Sequence, residues 1–405
     1  MKSAGRKSEL FLKRTDHSSF YTLFKKRYKK IHPRMPAGGA GAEQKRKRGI
    51  MGKLNDKRVL VTGCCGTVGS ELVSQLLEDY AVRELVGLDN NESELFFAQQ
   101  RYSDRPAHFF LADVRDQQRL MRLFSGVDIV FHAAAFKHVV LCEVSPFEAV
   151  QTNINGVQNV ILAATENRVK TVVFTSSDKA VNPTNVMGTS KLMGERLMTA
   201  ANSNLRGGPS AFISTRFGNV LGSRGSVIPI FREQIRKGGP VTITDKQMTR
   251  FIMSIRQAVQ LVIDSVDLAR GGEVFVTKMP VIRILDLAEV MIAELAAKYG
   301  HSPADIRIDI IGSKPGEKQY EELMTAEEVR RCVELERYFV VKPAFTSLYR
   351  DVAYAYPGAV NGVVDRPYHS ANEPALSKDQ LRRFLIDNQL LEGEEEDAFQ
   401  PDRRY

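Results

Sequence analysis

The stretch Val59-Leu-Val-Thr-Gly63-Cys-Cys-Gly66-Thr-Val-Gly69 decides the fold of this 405-residue chain. A short β-prone run enters three glycines at three-residue spacing, and a helical pattern starts near Thr67. Strand, glycine loop and helix in that order make an anion cradle. Gly63 permits the tight turn, Gly66 lets the backbone approach a pyrophosphate, and Gly69 lets the helix pack closely on the strand. The pyrophosphate would rest on unpaired N–H groups at the helix start, around Thr67 and Val68. Glycine triplets also occur in ordinary turns, but here Asp89 follows Gly69 by twenty residues, at the end of a second β-rich run. A carboxylate there accepts hydrogen bonds from ribose hydroxyls and repels a 2′-phosphate. Asn90 and Asn91 add no cation to welcome that phosphate, so NAD is expected rather than NADP.

Outward from this loop, β-rich runs alternate with helical patterns. The expected strands are 59–62, 84–88, 108–111, 129–132, 171–175 and 212–215. Between them, Ile154, Val157, Val160, Ile161 and Ala164 share one helical face. Repeated βα units predict an α/β, Rossmann-type doubly wound parallel sheet with a smaller mixed C-terminal substrate lobe. The expected division is a basic disordered tail over 1–50, an NAD-binding domain over 51–218, and a substrate lobe over 219–390. Some lobe segments, such as 275–277 and 306–311, would serve the lobe or the sheet edge, and 391–405 forms an acidic, frayed end.

Charge is uneven. The net +9 arises from residues 1–50, which hold 15 Lys/Arg against 3 Asp/Glu, while the remainder holds 42 against 45. The basicity therefore belongs to the tail, and no specific nucleic-acid partner is implied for the fold. The tail reads as a solvated extension, as sequence upstream of a start at Met51, or as weak electrostatic contact with an anionic membrane surface. No apolar run is long enough for a signal peptide or a membrane span, so a cytoplasmic protein is expected. Cys64, Cys65, Cys142 and Cys332 form no C-x-x-C pair and have no neighbouring His cluster, so no metal site is expected. Cys64 and Cys65 read as small side chains wanted in the loop, with a redox switch as the alternative.

Asp113-Val114 closes the third strand, where an acid can meet the adenine amino group or cap a helix. After the fourth strand, Ala133 and Ala134 leave room for a cofactor or for sheet-to-helix packing. The fifth strand ends in Thr175-Ser-Ser177-Asp178-Lys179, at the edge where α/β sites form. Asn185-Val-Met187-Gly-Thr-Ser-Lys191 then opens a helix, with Met187 and Lys191 on one face.

Several stretches together resemble the polysaccharide-biosynthesis branch of the extended short-chain dehydrogenases/reductases, which includes UDP-N-acetylglucosamine 4,6-dehydratases. They are His132-Ala-Ala-Ala-Phe-Lys-His138, Ser176 to Gly188, Arg216 to Pro229, Met248-Thr-Arg250 and Lys314-Pro-Gly-Glu-Lys318, in family order over about 280 residues. The wider superfamily carries Tyr-x-x-x-Lys, with Tyr as base. Met187 stands in its place here and has no proton to exchange, so another group must accept the sugar hydroxyl proton.

The resemblance implies a bound NAD, a UDP-sugar substrate and a homo-oligomer. It gives Lys191 to the nicotinamide ribose, Asp178 as acid at C6, Lys179 as base at C5, and Ser177 to the C4 oxygen. In those roles Asp178 needs a raised pKa and Lys179 a lowered one. Asn219, Arg224 and Arg250 would meet the diphosphate, Ser226 and Val227 the uridine, Glu317 its ribose, and Lys137 the sugar or phosphate. The expected activity is dehydration of UDP-N-acetylglucosamine to a 4-keto-6-deoxy sugar. A 4-epimerase, a C4 dehydrogenase and a catalytically silent NAD-binding sensor are the alternatives; the intact Asp178, Lys179 and Lys191 argue against the last.

Because the excess positive charge is confined to 1–50, a chain beginning at Met51 is expected to fold and retain its activity, losing only affinity for polyanions. Soluble expression and activity of that shortened chain check this; an insoluble product would make the tail structural.

Overall fold

The computed structural model describes residues 52–204, 210–222, 226–312, 317–345, 352–360 and 363–392. The basic stretch 1–50, Arg224, Lys314-Pro-Gly316 and the end from 393 lie outside the described residues.

The chain opens with βα units. These are β1 (Arg58–Thr62), α1 (Thr67–Asp79), β2 (Glu84–Asp89), α2 (Glu92–Arg101), β3 (Ala107–Leu111), α3 (Gln117–Leu123) and β4 (Ile129–His132). Two short helices, α4 (Val139–Val144) and α5 (Pro146–Val150), lead through a π-helical turn, Gln151–Asn155, into α6 (Gly156–Glu166). Then come β5 (Thr171–Ser177), a 3₁₀ turn at Asp178–Ala180, α7 (Val186–Asn204), β6 (Ala211–Phe217), β7 (Asn219–Leu221) and α8 (Val227–Arg236). β8 (Val241–Ile243), β9 (Thr249–Ser254), α9 (Ile255–Leu268), β10 (Val274–Thr277), β11 (Val281–Arg283), α10 (Ile284–Leu295) and β12 (Ile308–Ile310) follow. The last elements are β13 (Glu322–Met324), α11 (Ala326–Val329), β14 (Cys332–Glu334), β15 (Tyr338–Val341), β16 (Tyr368–His369) and α12 (Lys378–Asp387).

Among the described residues, nine strands form one sheet in the order β14-β15-β10-β6-β5-β4-β1-β2-β3. From β3 to β10 the strands are parallel; β15 and β14 add antiparallel pairs at one edge. The strand order reverses between β1 and β4, and that switch point opens a crevice at the carboxyl ends of the strands. All six expected strands are present, most of them one or two residues longer. The later chain divides its elements. β10, β14 and β15 return to the main sheet, while β12 pairs with β8 and β7 and β11 flank β9 away from it.

Three apolar clusters follow from this layout. One face of the sheet packs Val59, Val61 and Ile129 against Leu72 and Leu76 of α1 and Val262 of α9. The other packs Leu60, Val130 and Val172 against Val157, Val160 and Ala164 of α6. These α6 residues belong to the face expected from periodicity; Ile154 precedes them in the π-helical turn. A third cluster lies off the sheet, with Ile228, Phe231, Leu287, Met291, Leu381 and Leu385 from α8, α10 and α12.

A buried ion network joins these parts. Arg216, near the end of β6, is 1% exposed. Its Nε and Nη2 donate to the two Glu195 oxygens at 3.0 and 2.6 Å, and Nη1 donates to the Leu323 carbonyl at 2.7 Å. Glu328 of α11 accepts from both terminal nitrogens at 3.1 Å, so every guanidinium nitrogen is used. Ser176 Oγ donates to Glu195 at 2.5 Å, extending the network to β5. Burial raises the Glu328 pKa, but the Arg216 charge and hydrogen bonds outweigh it and bring the value down to about 2. Its contribution to stability is therefore complete above about pH 4.5 and lost as pH falls through 2.

Arg216→Met removes the partner of two buried carboxylates and is expected to cost about 3–5 kcal/mol. Acidification from pH 7 to 5 should then restore stability to the variant, because protonation relieves its unpaired charges, and should not stabilise the unaltered protein. Urea unfolding midpoints at the two pH values measure this.

Candidate active site

The glycine loop is built as its sequence requires. Gly63 has φ +67°, and a Cβ there would lie 2.7 Å from the Ala134 Cα and nitrogen. A Cβ on Gly69 would fall 1.9 Å from the Gly63 carbonyl oxygen, so only glycine lets α1 start this close to β1. Gly66 precedes the first residue of α1, and no side chain caps that helix start, leaving Thr67 and Val68 with open backbone donors. Asp89, at the end of β2, accepts from the Cys65 N–H at 2.9 Å and the Asn91 N–H at 3.0 Å. Ala133 and Ala134 close the other side: their N–H groups donate to the Thr62 carbonyl and hydroxyl. This cradle at the switch point has the shape and donors that a dinucleotide pyrophosphate needs.

Asp113 stands just past the end of β3, paired with a neighbouring arginine. Arg115 holds both its carboxylate oxygens, with Nη2 at 2.7 Å, and keeps its pKa below the usual carboxylate range. Asp113 does not cap a helix: Asp116 does so for α3. Val114 is buried against Gly156 in α6, where an added Cβ would meet its Cγ2 at 2.9 Å.

Lys191 is buried on α7, with Nζ donating to the Thr175 carbonyl at 3.0 Å and lying 4.7 Å over the Phe174 ring. Burial lowers its pKa to about 8, against the raising effect of Glu195. Met187 packs in an apolar cluster with Cys142 and Ala149. Near them His132 is fully buried, with Nδ1 at 2.7 Å from Thr62 Oγ1, and burial drives its pKa to about 3.

A cavity of about 360 Å³ lies beside the end of β5. Asp178, Lys179, Asn219, Arg250 and Glu317 all line it, so residues up to 139 positions apart meet there as expected. Lys137 is exposed on the loop after β4, outside this lining. Ser226 and Val227 start α8, where the Ser226 hydroxyl is buried and unpartnered and Val227 packs on the third cluster; neither lines the cavity.

The charge states of the central pair reverse those expected. Lys179 Nζ donates to the two Asp178 oxygens at 3.2 and 3.0 Å, and Ser177 Oγ donates to one of them at 2.9 Å. Burial raises the Asp178 pKa, but the Lys179 charge and these hydrogen bonds bring it below its ordinary value. Burial lowers that of Lys179, but Asp178 and Glu321 together raise it. The pair is thus a carboxylate and an ammonium, because each is the other's nearest compensating charge.

Arg250 is also committed within the protein. Its Nη1 and Nη2 donate to the carbonyls of Thr249, Gln319 and Lys318, and Nε lies 3.3 Å from Glu321. It therefore organises the loop that carries Glu317 to Glu321. Lys318 fastens that loop to the 3₁₀ turn through the Val181 and Asn182 carbonyls at 2.9 and 2.8 Å.

Glu321 is the residue that sequence reasoning missed. It lines the cavity, is 7% exposed, and its Oε2 is buried without a hydrogen-bond partner. Burial, then the facing Asp178 carboxylate, raises its pKa to about 8. Its setting in Glu317-Lys-Gln-Tyr-Glu-Glu322 reads as a solvated charged run, and nothing local distinguishes it from its neighbour.

Three relatives align over most of the chain. A protein named "Uncharacterized membrane protein MJ1061" from Methanocaldococcus jannaschii is 48% identical over 82% of this chain and 95% of its own. An inverting UDP-N-acetylglucosamine 4,6-dehydratase from Campylobacter jejuni is 37% identical over 84% and 97%, respectively. A UDP-glucose 4-epimerase from Rickettsia akari is 34% identical over 85% and 99%. The solved structure of Pen from Bacillus thuringiensis superposes with a TM-score of 0.75 at 41% identity, covering 84% of this chain and 99% of that one. Among the described residues, no helix is long and apolar enough to cross a membrane. The family model described as "Polysaccharide biosynthesis protein" matches residues 59–343, well over half the chain, and the protein belongs to that family.

Proposed function

We propose that this protein is an NAD-dependent 4,6-dehydratase of a UDP-N-acetylhexosamine, with UDP-N-acetylglucosamine as substrate, serving surface-polysaccharide synthesis. The observation that carries the proposal is the set of ionisable groups at the end of β5. Asp178 and Lys179 face one cavity, while the superfamily's tyrosine position is occupied by buried Met187. Dehydration requires proton transfer at C5 and C6 as well as at the C4 hydroxyl, so it needs several acid–base groups side by side. The dehydratase named among the relatives supports the same reading.

The residues present fit NAD through the Gly63–Gly69 cradle and Asp89, and the bound cofactor would supply the hydride acceptor and donor. Lys191, at the floor of β5, is suited to hold a ribose hydroxyl near the sugar. Asn219 and Glu317 line the cavity on the substrate side. Epimerisation at C4 is the second reading, favoured by the relative of that name. It would leave the C6 hydroxyl in place, and mass spectrometry after incubation with UDP-N-acetylglucosamine separates the two by the loss of one water.

If the hydride is borrowed within one bound sugar, deuterium placed at C4 should appear at C6 of the product without net reduction of the cofactor. In heavy water the product should gain deuterium at C5. Loss of the C4 label to free reduced cofactor would establish a simple dehydrogenase instead.

Cofactor choice is tested separately. The unaltered protein should bind NAD more tightly than NADP, since Asp89 repels a 2′-phosphate. Asp89→Ser combined with Asn90→Arg should shift binding towards NADP. A direct titration in which the unaltered protein prefers NADP would overturn this reading of β2.

A further inference from the structure

We infer that Cys64, Cys65 and Asp89 form a site for a thiophilic divalent cation of the zinc class, and that its occupation excludes the dinucleotide from the glycine loop. The site stands apart from the dehydratase reading; only the exclusion rests on Asp89 being the acid that meets the ribose.

The two sulfurs lie 3.8 Å apart. Two thiolates held at about 2.3 Å from one tetrahedral zinc stand at nearly that separation. Adjacent residues of an extended chain direct their side chains to opposite sides, so this approach comes from the turn that Gly63 opens with φ +67°. A carboxylate oxygen of Asp89 completes the group, and the three ligand atoms all lie within 4.8 Å of one another. The same carboxylate accepts the Cys65 N–H at 2.9 Å, which fixes it beside the sulfurs. Two soft sulfurs with one oxygen suit zinc or cadmium and disfavour magnesium and calcium, which take oxygen ligands.

Cys64 is buried, while Cys65 and Asp89 are half-buried, so protein walls one side of the group and solvent reaches the other. Gly87 of β2 makes the inner wall. A Cβ there would lie 3.0 Å from Cys64 Sγ, so this sulfur rests against strand backbone. The hydrogen bond with Cys65 and burial push the Cys64 thiol up, so it keeps its proton until an ion displaces it.

On binding, both S–H bonds break, two sulfur–metal bonds form, and the two protons pass to solvent. No electron moves. Two thiolates and a carboxylate around a dication leave one net negative charge. That charge stands in the loop whose open donors, at Thr67 and Val68, would hold a pyrophosphate. The ion also takes the lone pairs that Asp89 would offer a ribose.

The test titrates the full-length protein with cadmium chloride, a spectroscopic stand-in for zinc, under a phosphine reductant that keeps the sulfurs as thiols. Thiolate-to-cadmium absorption in the ultraviolet reports the ion, and equilibrium dialysis reports NAD. The unaltered protein should show the absorption, and Cys332→Ser should retain it. Cys65→Ser should weaken cadmium binding about 100-fold or more, beyond the cost of losing an outer partner, with Cys65→Ala as a second variant. Asp89→Asn, whose amide oxygen can still accept the Cys65 N–H, should weaken it about tenfold. Cadmium at about ten times its own Kd should raise the apparent Kd for NAD about tenfold, and zinc should act alike.

An unaltered protein without the absorption overturns the site. So does absorption that survives in both Cys65 variants, or a cadmium affinity that Asp89→Asn leaves unchanged. NAD binding indifferent to cadmium overturns the exclusion. A protein that binds no NAD at all sinks the cofactor reading instead, and the absorption then decides the site alone.

Discussion

The site depends on the burial of one guanidinium. Arg216 projects from β6 into a space that excludes water, and a charge placed there must be compensated on every side. Glu195 compensates it from α7, Glu328 from α11, and the Leu323 carbonyl from β13. α7 lies more than a hundred residues before the neighbouring β13 and α11, and the network ties it to them. α7 carries Lys191, the strand joined to Glu195 through Ser176 leads directly into Asp178, and β13 follows Glu321 directly. The network contributes no chemistry of its own. It fixes the register in which the chemical groups meet.

The glycine loop imposes the second constraint. Gly69 leaves α1 no room to move away from β1, and Gly63 brings the loop against the backbone of Ala133 and Ala134. The crevice between β1 and β4 is thereby bounded by backbone, which cannot adjust by changing rotamer. Asp89 pins the loop through the Cys65 N–H, so the carboxylate expected to meet a ribose also holds the glycine turn in shape. Substitution of Asp89 would therefore act on cofactor choice and on loop geometry together, which is why binding of both dinucleotides has to be measured.

Much of the sheet was legible because its signals are local. Glycine spacing, β-rich runs and the α6 stripe each report on adjacent residues, and each matches an element of the structure. The return of β14 and β15 as antiparallel edge strands was not legible, since three- and four-residue strands carry no period that separates them from loop. The Asp113–Arg115 pair was not legible either, since a turn had to form before the two could meet. Asp178, Lys179, Asn219, Arg250 and Glu317 were placed in one cavity by the family motifs that contain them. Glu321 lies three residues beyond the last of those motifs. Its burial results from Arg250, Lys318 and Ser370 folding the loop inwards, and no local sequence pattern reports that.

The charge states at the site follow from the same long-range packing. A lone carboxyl beside a lone amine in a sequence can be given either proton assignment, and the chemistry expected of the pair suggested the neutral one. In the folded protein the two groups stand 3.0 Å apart, Asp178 buried and Lys179 partly exposed, and transfer to the neutral forms would sacrifice their mutual attraction. The compensation is then spent, and a third carboxyl brought against them by a separate loop cannot also ionise cheaply. Burial, and then the facing Asp178 carboxylate, therefore raise the Glu321 pKa to about 8. Met187 stands where the superfamily carries its tyrosine, and Asp178, Lys179 and Glu321 are the interacting ionisable groups that line the cavity.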